Sequence, residues 1–126
     1  MRRIRGKDTV PELTLRRTLH RLGYRYRLHR RDLPGSPDLV FPRQHKVIFV
    51  HGCFWHGHGS GCPLSHVPRS NSAYWQAKFL RNRRRDDKKL SDLAALGWQA
   101  LVVWECELRD TDQVIHTVQQ FLTANR

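Results

Sequence analysis

The stretch Asp38-Leu39-Val40-Phe41-Pro42-Arg43-Gln44-His45-Lys46-Val47-Ile48-Phe49-Val50-His51 decides the fold. Residues 38–41 and 45–51 read as two short strands, and Pro42–Gln44 supplies the hairpin connection. The run Val47-Ile48-Phe49-Val50 is apolar without alternation, as in a strand covered on both faces. A strand covered on both faces needs helices in two layers, and the flanking sequence offers them. Residues 9–23 read as a helix, with Thr9 as cap, Pro11 in the first turn, Leu15, Leu19 and Leu22 on one face, and Gly23 as the stop. Residues 24–37 read as an extended arm and loop ending in Pro34-Gly35-Ser36-Pro37. Residues 71–96 read as a long helix stopped by Gly97, with a charged middle and ends (Tyr74, Phe79, Leu90, Leu93, Leu96) able to pack. Gln99–Trp104 reads as a third strand, with Trp98 and Trp104 assigned to the core. Asp112–Leu122 reads as a last helix with Val114, Val118, Phe121 and Leu122 inward. Helix, two strands, loop, helix, strand, helix is the order of an α/β domain with a small mixed sheet.

The chain has 126 residues, which suits a single domain over 1–126. It contains no apolar stretch long enough to span a bilayer, and its basic start is not followed by an apolar run, so neither a membrane anchor nor a secretory signal is expected. The formal charge is +12. It is concentrated in residues 1–31, net +9, and residues 69–89, net +6, while residues 32–68 balance and residues 90–126 come to −3. Two such blocks favour a polyanion, most simply nucleic acid.

Residues 52–70 are rich in Gly, His, Cys and Pro and show no periodicity; a loop of this length is usually functional or held by something. Cys53, His58 and Cys62 lie in it, and Cys106 follows the third strand. An odd number of cysteines argues against a disulfide framework. Three thiolates and one imidazole would make a closed, structural zinc site that staples the loop, with His51, His56 and His66 as rival imidazoles. Asp38 and His51 fall near one sheet edge if the two strands pair, with His56 five residues further on and Glu12 able to approach from the other layer. A carboxylate that holds Mg²⁺ and a neutral His that takes a proton from water are the parts phosphodiester cleavage needs. Phe54 and Trp55, in the loop, and Tyr74 and Trp75, beginning the basic helix, are aromatics beside cations that could stack on bases or could belong to the core.

Pro34-Gly35-Ser36-Pro37-Asp38, then Val47 through His56 (V-I-F-V-H-G-C-F-W-H), Leu96-Gly97-Trp98 and Val103-Trp104-Glu105-Cys106 closely resemble the very short patch repair (Vsr) endonucleases, over about Met1 to Arg109. The resemblance implies a restriction-endonuclease-like, PD-(D/E)xK-type α/β domain with a zinc-stapled loop. It implies a Mg²⁺-dependent enzyme that nicks double-stranded DNA 5′ to the thymine of T·G mismatches left by 5-methylcytosine deamination. By motif, Asp38 and the Val50 carbonyl would hold Mg²⁺, His56 would be the base, and His51 and Glu12 would support the site. Cys53, His58, Cys62 and Cys106 would hold zinc. Phe54, Trp55 and Trp75 would wedge beside the mismatch, and Lys78 and Asn82 occupy positions whose family counterparts contact bases. Three departures stand out. Met1-Arg2-Arg3-Ile4 matches only the end of the family's N-terminal arm, so that either the grip on DNA is weaker or the native chain starts upstream of Met1. Val50 stands where a known member has Thr, and the His58–Cys62 spacing is two residues longer than expected.

The reading is therefore a monomeric, cytoplasmic, nucleoid-associated bacterial nicking endonuclease working with downstream repair proteins. Its alternatives are a nuclease of the same fold with restriction-linked or phage specificity, and a non-catalytic zinc-stabilised DNA-binding module.

Overall fold

A computed structural model describes residues 10–28, 30–53 and 69–124. Among them four strands form one sheet in the order β1 (Arg27–Leu28), β2 (Leu39–Phe41), β3 (Lys46–His51), β4 (Gln99–Trp104). β1 and β2 are antiparallel, β2 and β3 are antiparallel, and β3 and β4 are parallel. Three helices accompany the sheet: α1 (Val10–Arg21), α2 (Ser72–Ala95) and α3 (Thr111–Thr123). The hairpin expected from residues 38–51 is present, with a 3-10 turn at Pro42–Gln44. The parallel partner of β3 is reached through α2, as a parallel connection requires.

β3 is the middle of the structure, and its two faces feed two cores. Ile48 packs with Leu39, Phe41 and Val103 of the sheet, Leu15 and Leu19 of α1, and Val114, Val118 and Leu122 of α3. Val47 and Phe49 pack with Val40, Leu33 and Leu93, the last from α2. So α1 and α3 cover one face and α2 the other. Burial of each of these side chains is worth about 1.5–3 kcal/mol relative to exposure.

The start of β3 is tied to the end of α3 by a buried charge. Lys46 is 2% exposed. Its Nζ donates to the Phe121 and Ala124 carbonyls at 2.5 and 2.6 Å and lies 5.2 Å from the centre of the Phe121 ring. Gln44 adds a bond from Nε2 to the Leu122 carbonyl at 2.7 Å. Helix C-termini leave carbonyls without intrahelical partners and carry partial negative charge; a Lys and a Gln supply what they lack.

Several expectations change. Arg27–Leu28, read as part of a loop, pairs with β2 as an edge strand; two exposed residues carry no alternation to detect. Leu22, expected inward, is 50% exposed, because Gly23 at φ +98° lets the chain turn back immediately after it, with Tyr24 N donating to the Leu19 carbonyl. Tyr74 and Leu96, expected to pack, are exposed, and Ile115 joins the core beside a half-buried Phe121. Trp98 is half-buried against the α2-side core, stacked on His45. Trp104 is also half-buried but belongs to neither core cluster. Thr9 and most of the loop over 52–70 lie outside the described residues.

Replacing Lys46 by Met keeps the apolar stem and removes both bonds to α3. The expected loss is about 2 kcal/mol, seen as a lower urea midpoint. Lys88→Ala, which removes an exposed ion pair to Asp92, should shift it by less than about 0.5 kcal/mol. An unmoved midpoint in Lys46→Met would refute the assignment.

Candidate active site

Asp38 is delivered by the loop that precedes β2. Leu33 and Pro37 are buried, and Ser36 N donates to the Leu33 carbonyl at 3.1 Å. Gly35 adopts φ +80°, and a Cβ there would stand 2.8 Å from Cδ of Lys89. The loop thus lies against the stem of Lys89 on α2, and glycine is required both by the backbone and by the contact. Leu33 reinforces this seat by packing in the same core as Leu93.

Asp38 sits half-buried at the end of the sheet, and its Oδ2 accepts from the Val50 amide at 2.6 Å. The register explains this reach. Leu39 pairs with Ile48, so the residue before β2 arrives beside the last residues of β3. His51 closes β3, is buried, and pairs in register with Trp104 of β4. Its ring is edge-on to Trp104, with centroids 5.2 Å apart, and lies 5.8 Å from the Phe49 ring. The expected approach of Asp38 and His51 to one sheet end therefore occurs.

The same end gathers two cysteines. Cys53, just past β3, is buried, and its Sγ accepts from the Cys106 amide at 3.3 Å. Cys106 lies in a 3-10 turn (Glu105–Arg109) that follows β4, where Glu107 Oε1 accepts from the Trp104 amide at 2.8 Å. The parallel β3–β4 ladder, ending at His51 and Trp104, brings together two cysteines that are 53 residues apart in sequence.

The family model for the DNA mismatch endonuclease Vsr matches residues 1–62. The Type II nicking enzyme V.XorIIP of Xanthomonas oryzae pv. oryzae is 54% identical over 110 residues, 87% of this chain and 79% of that protein. The Type II nicking enzyme V.NmeAIP of Neisseria meningitidis serogroup A is 41% identical over 110 residues, 87% of this chain and 77% of its own. The DNA mismatch endonuclease Vsr of Escherichia coli K12 is 41% identical over 114 residues, 90% of this chain and 72% of its own. The chain belongs to the Vsr family of DNA mismatch endonucleases. Membership displaces the alternative of a non-catalytic binding module.

Within this Vsr-family chain the remaining expected residues divide into two groups. Glu12 is buried in the first turn of α1, where Arg16 Nη1 meets its Oε2 at 2.9 Å. Trp75 is half-buried on α2, stacked on Phe79 at 6.0 Å and edge-on to Tyr74 at 5.3 Å. Lys78 and Asn82 follow on the same helix, both half-buried. Phe54, Trp55, His56, His58, Cys62 and His66 lie outside the described residues. Among the described residues no group of three or more His, Cys, Asp or Glu side chains is placed to hold a metal ion. Sequence reasoning missed the contact of Trp104 with His51, since a Trp on an apolar strand reads as core. It missed Gly35 against Lys89 too, since nothing in a turn signature names its distant neighbour.

Asp38→Ala leaves the Val50 amide without its acceptor, and amide exchange at Val50 should speed up by about tenfold or more. Asp38→Asn, which keeps an acceptor oxygen, should retain most of the protection. Equal exchange in the wild type and the Ala variant would show that the bond contributes nothing.

Proposed function

We propose that this Vsr-family protein nicks one strand of double-stranded DNA at a T·G mismatch, 5′ to the thymine, in repair of deaminated 5-methylcytosine. The observation that carries the reading is Asp38, anchored on the Val50 amide at 2.6 Å at the sheet end that His51 closes. The domain, over 1–126, is of the PD-(D/E)xK type. A hard carboxylate oxygen beside a strand-end backbone carbonyl is the donor chemistry Mg²⁺ takes, so Asp38 and the Val50 carbonyl fit as its holders. When bound, Mg²⁺ supplies positive charge against the charge that develops on the phosphoryl group.

The chain's own residues do the rest. His56 accepts a proton from the attacking water. His51, held between Phe49 and Trp104, and Glu12, paired with Arg16, keep the surroundings of that water in place. Phe54, Trp55 and Trp75 enter the base stack where a mismatch is cheapest to open. The stacking of Trp75 on Phe79 supports it as a rigid ring. Lys78 and Asn82 read bases, and the exposed cations of α2 hold the backbone. Cys53, His58, Cys62 and Cys106 hold a structural zinc. Two cysteines already in contact, one accepting an amide hydrogen bond on sulfur, are the chemistry such a site uses. No helix among the described residues is long and apolar enough to cross a membrane. Action as a monomer in the bacterial cytoplasm at the nucleoid, ahead of other repair proteins, completes the proposal. A second reading is favoured by the names of V.XorIIP and V.NmeAIP: the same chemistry with another recognition, linked to restriction.

The deciding assay compares end-labelled duplexes, one with a single T·G mismatch and one fully paired. A cut 5′ to the mismatched thymine is expected with Mg²⁺, none with EDTA, and a loss of about a thousandfold or more in Asp38→Ala with duplex affinity retained. Cutting of both duplexes would support the second reading; no cutting of either would refute the chemistry.

For zinc, the purified chain should carry one equivalent, released by chelation. Cys106→Ser should lower the metal content and reduce stability by about 2 kcal/mol or more, roughly 10 °C in Tm. A variant that melts like the wild type without metal would refute the staple.

A further inference from the structure

The loop that delivers Asp38 is costly to hold. Gly35 and Ser36 follow one another in the left-handed region, at φ +80° and +48°. Glycine takes that conformation freely, but a serine there is strained. Such a turn keeps its shape only where its surroundings fix it. The Ser36 amide donates to the Leu33 carbonyl, and Leu33 is anchored in the core that holds Leu93 of α2. The next contact along the loop is with the same helix. A Cβ on Gly35 would stand 2.8, 3.1 and 3.2 Å from Cδ, Cγ and Cβ of Lys89. The methylene stem of Lys89 thus lies along the Gly35 backbone. Lys89 and Leu93 are one helical turn apart, so neighbouring turns of α2 seat two points of the loop.

The contact is one of carbon rather than of charge. The Lys89 ammonium lies 3.9 Å from Oδ1 of Asp86, a loose pair within α2, and the side chain is 34% exposed. An ion pair of that kind contributes little. What the loop meets is the aliphatic stem, with the charged head turned elsewhere.

The same side of α2 carries the residues proposed to meet DNA. Trp75, Lys78, Asn82, Lys89 and Leu93 follow one another at spacings of three, four, seven and four residues, and each is half-buried or buried. Those spacings keep them on one stripe of a helix. Asn82 and Lys89 are two turns, about 10 Å, apart. A single helix therefore runs from the recognition residues to the seat of the carboxylate.

We propose that Lys89 is a positioning residue for cleavage: its aliphatic stem seats the Gly35–Ser36 turn on α2 and so fixes Asp38 beside the Val50 amide. The role rests on the reading of Asp38 as the carboxylate that holds Mg²⁺. Without the stem the strained turn relaxes, and the Asp38 carboxylate spends less time at the Val50 amide. A reaction tolerates little misplacement of such a group.

The test uses the full chain and two kinds of readout. Amide exchange is followed at Val50 and at Gln99, whose amide donates to the His45 carbonyl at 2.9 Å at the far end of the sheet. Nicking of the T·G duplex is followed over a Mg²⁺ titration, with duplex affinity measured separately in EDTA. In Lys89→Ala, exchange at Val50 should speed up by about fivefold while Gln99 stays unchanged. Nicking should slow by about tenfold and need more Mg²⁺ for its half-maximal rate, with duplex affinity kept within about twofold. Lys89→Met keeps the stem and removes the ammonium, and it should restore both Val50 protection and nicking. Wild-type Val50 exchange or unchanged nicking in Lys89→Ala would overturn the proposal. Equal acceleration at Gln99 would reduce the effect to general destabilisation and overturn it too. So would a Lys89→Met variant that behaves like Lys89→Ala, because the charge would then be what matters. A wild-type chain that does not nick would instead overturn the cleavage reading, and Val50 exchange alone would then decide whether Lys89 seats Asp38.

Discussion

β3 is buried on both faces, and the arrangement of everything else follows from that constraint. A strand with Ile48 facing one way and Val47 and Phe49 the other must be covered twice. One cover is α1 with α3, and the other is α2. The strand is also paired along both edges, by β2 antiparallel and β4 parallel. Its backbone is thus satisfied within the sheet and its side chains within the two cores, so polar chemistry is confined to its ends. At one end Lys46 closes the α3 terminus; at the other, His51 lies edge-on to Trp104 and the Val50 amide is bound by Asp38.

The sheet end proposed as the active site is held in place by this arrangement. Asp38 is held from three directions: by its bond to the Val50 amide, by the buried Pro37 before it, and by the Gly35 loop against Lys89. A carboxylate held in this way loses little freedom when it takes up a ligand, which is what a pre-organised site needs. The contact with Lys89 also joins that loop to α2, the helix that carries Trp75, Lys78 and Asn82. The elements that bear the candidate cleavage and recognition residues are therefore packed directly on one another.

Among the described residues the cations of the two basic blocks fall on separate elements. The cations of α2 lie along an exposed helix. Arg17 and Arg21 are exposed on α1, which covers the other face of the sheet, and Arg27 is exposed on β1 at its edge.

Much was legible in the sequence because it rests on local rules. The β3 run, the Pro-Gly turn before Asp38, the helix stops at Gly23 and Gly97 and the strand Gln99–Trp104 each carry a signal within a few residues. The V-I-F-V-H-G-C-F-W-H and W-E-C strings were enough to point to the family. Other features depend on which element lies next to which. Two residues of β1 become a strand only because β2 offers an edge, and Trp104 leaves the core because the parallel register sets it beside His51. Cys53 and Cys106 meet only through that same register. Sequence by itself determined every described helix and strand except β1, and the family, since propensity, turn chemistry and motif are properties of short segments. Tertiary structure decided the strand partners, the burial of Lys46, the seat of Asp38 and the contact of Tyr26 with Phe41, since each is a contact between residues whose separation along the chain carries no local signal.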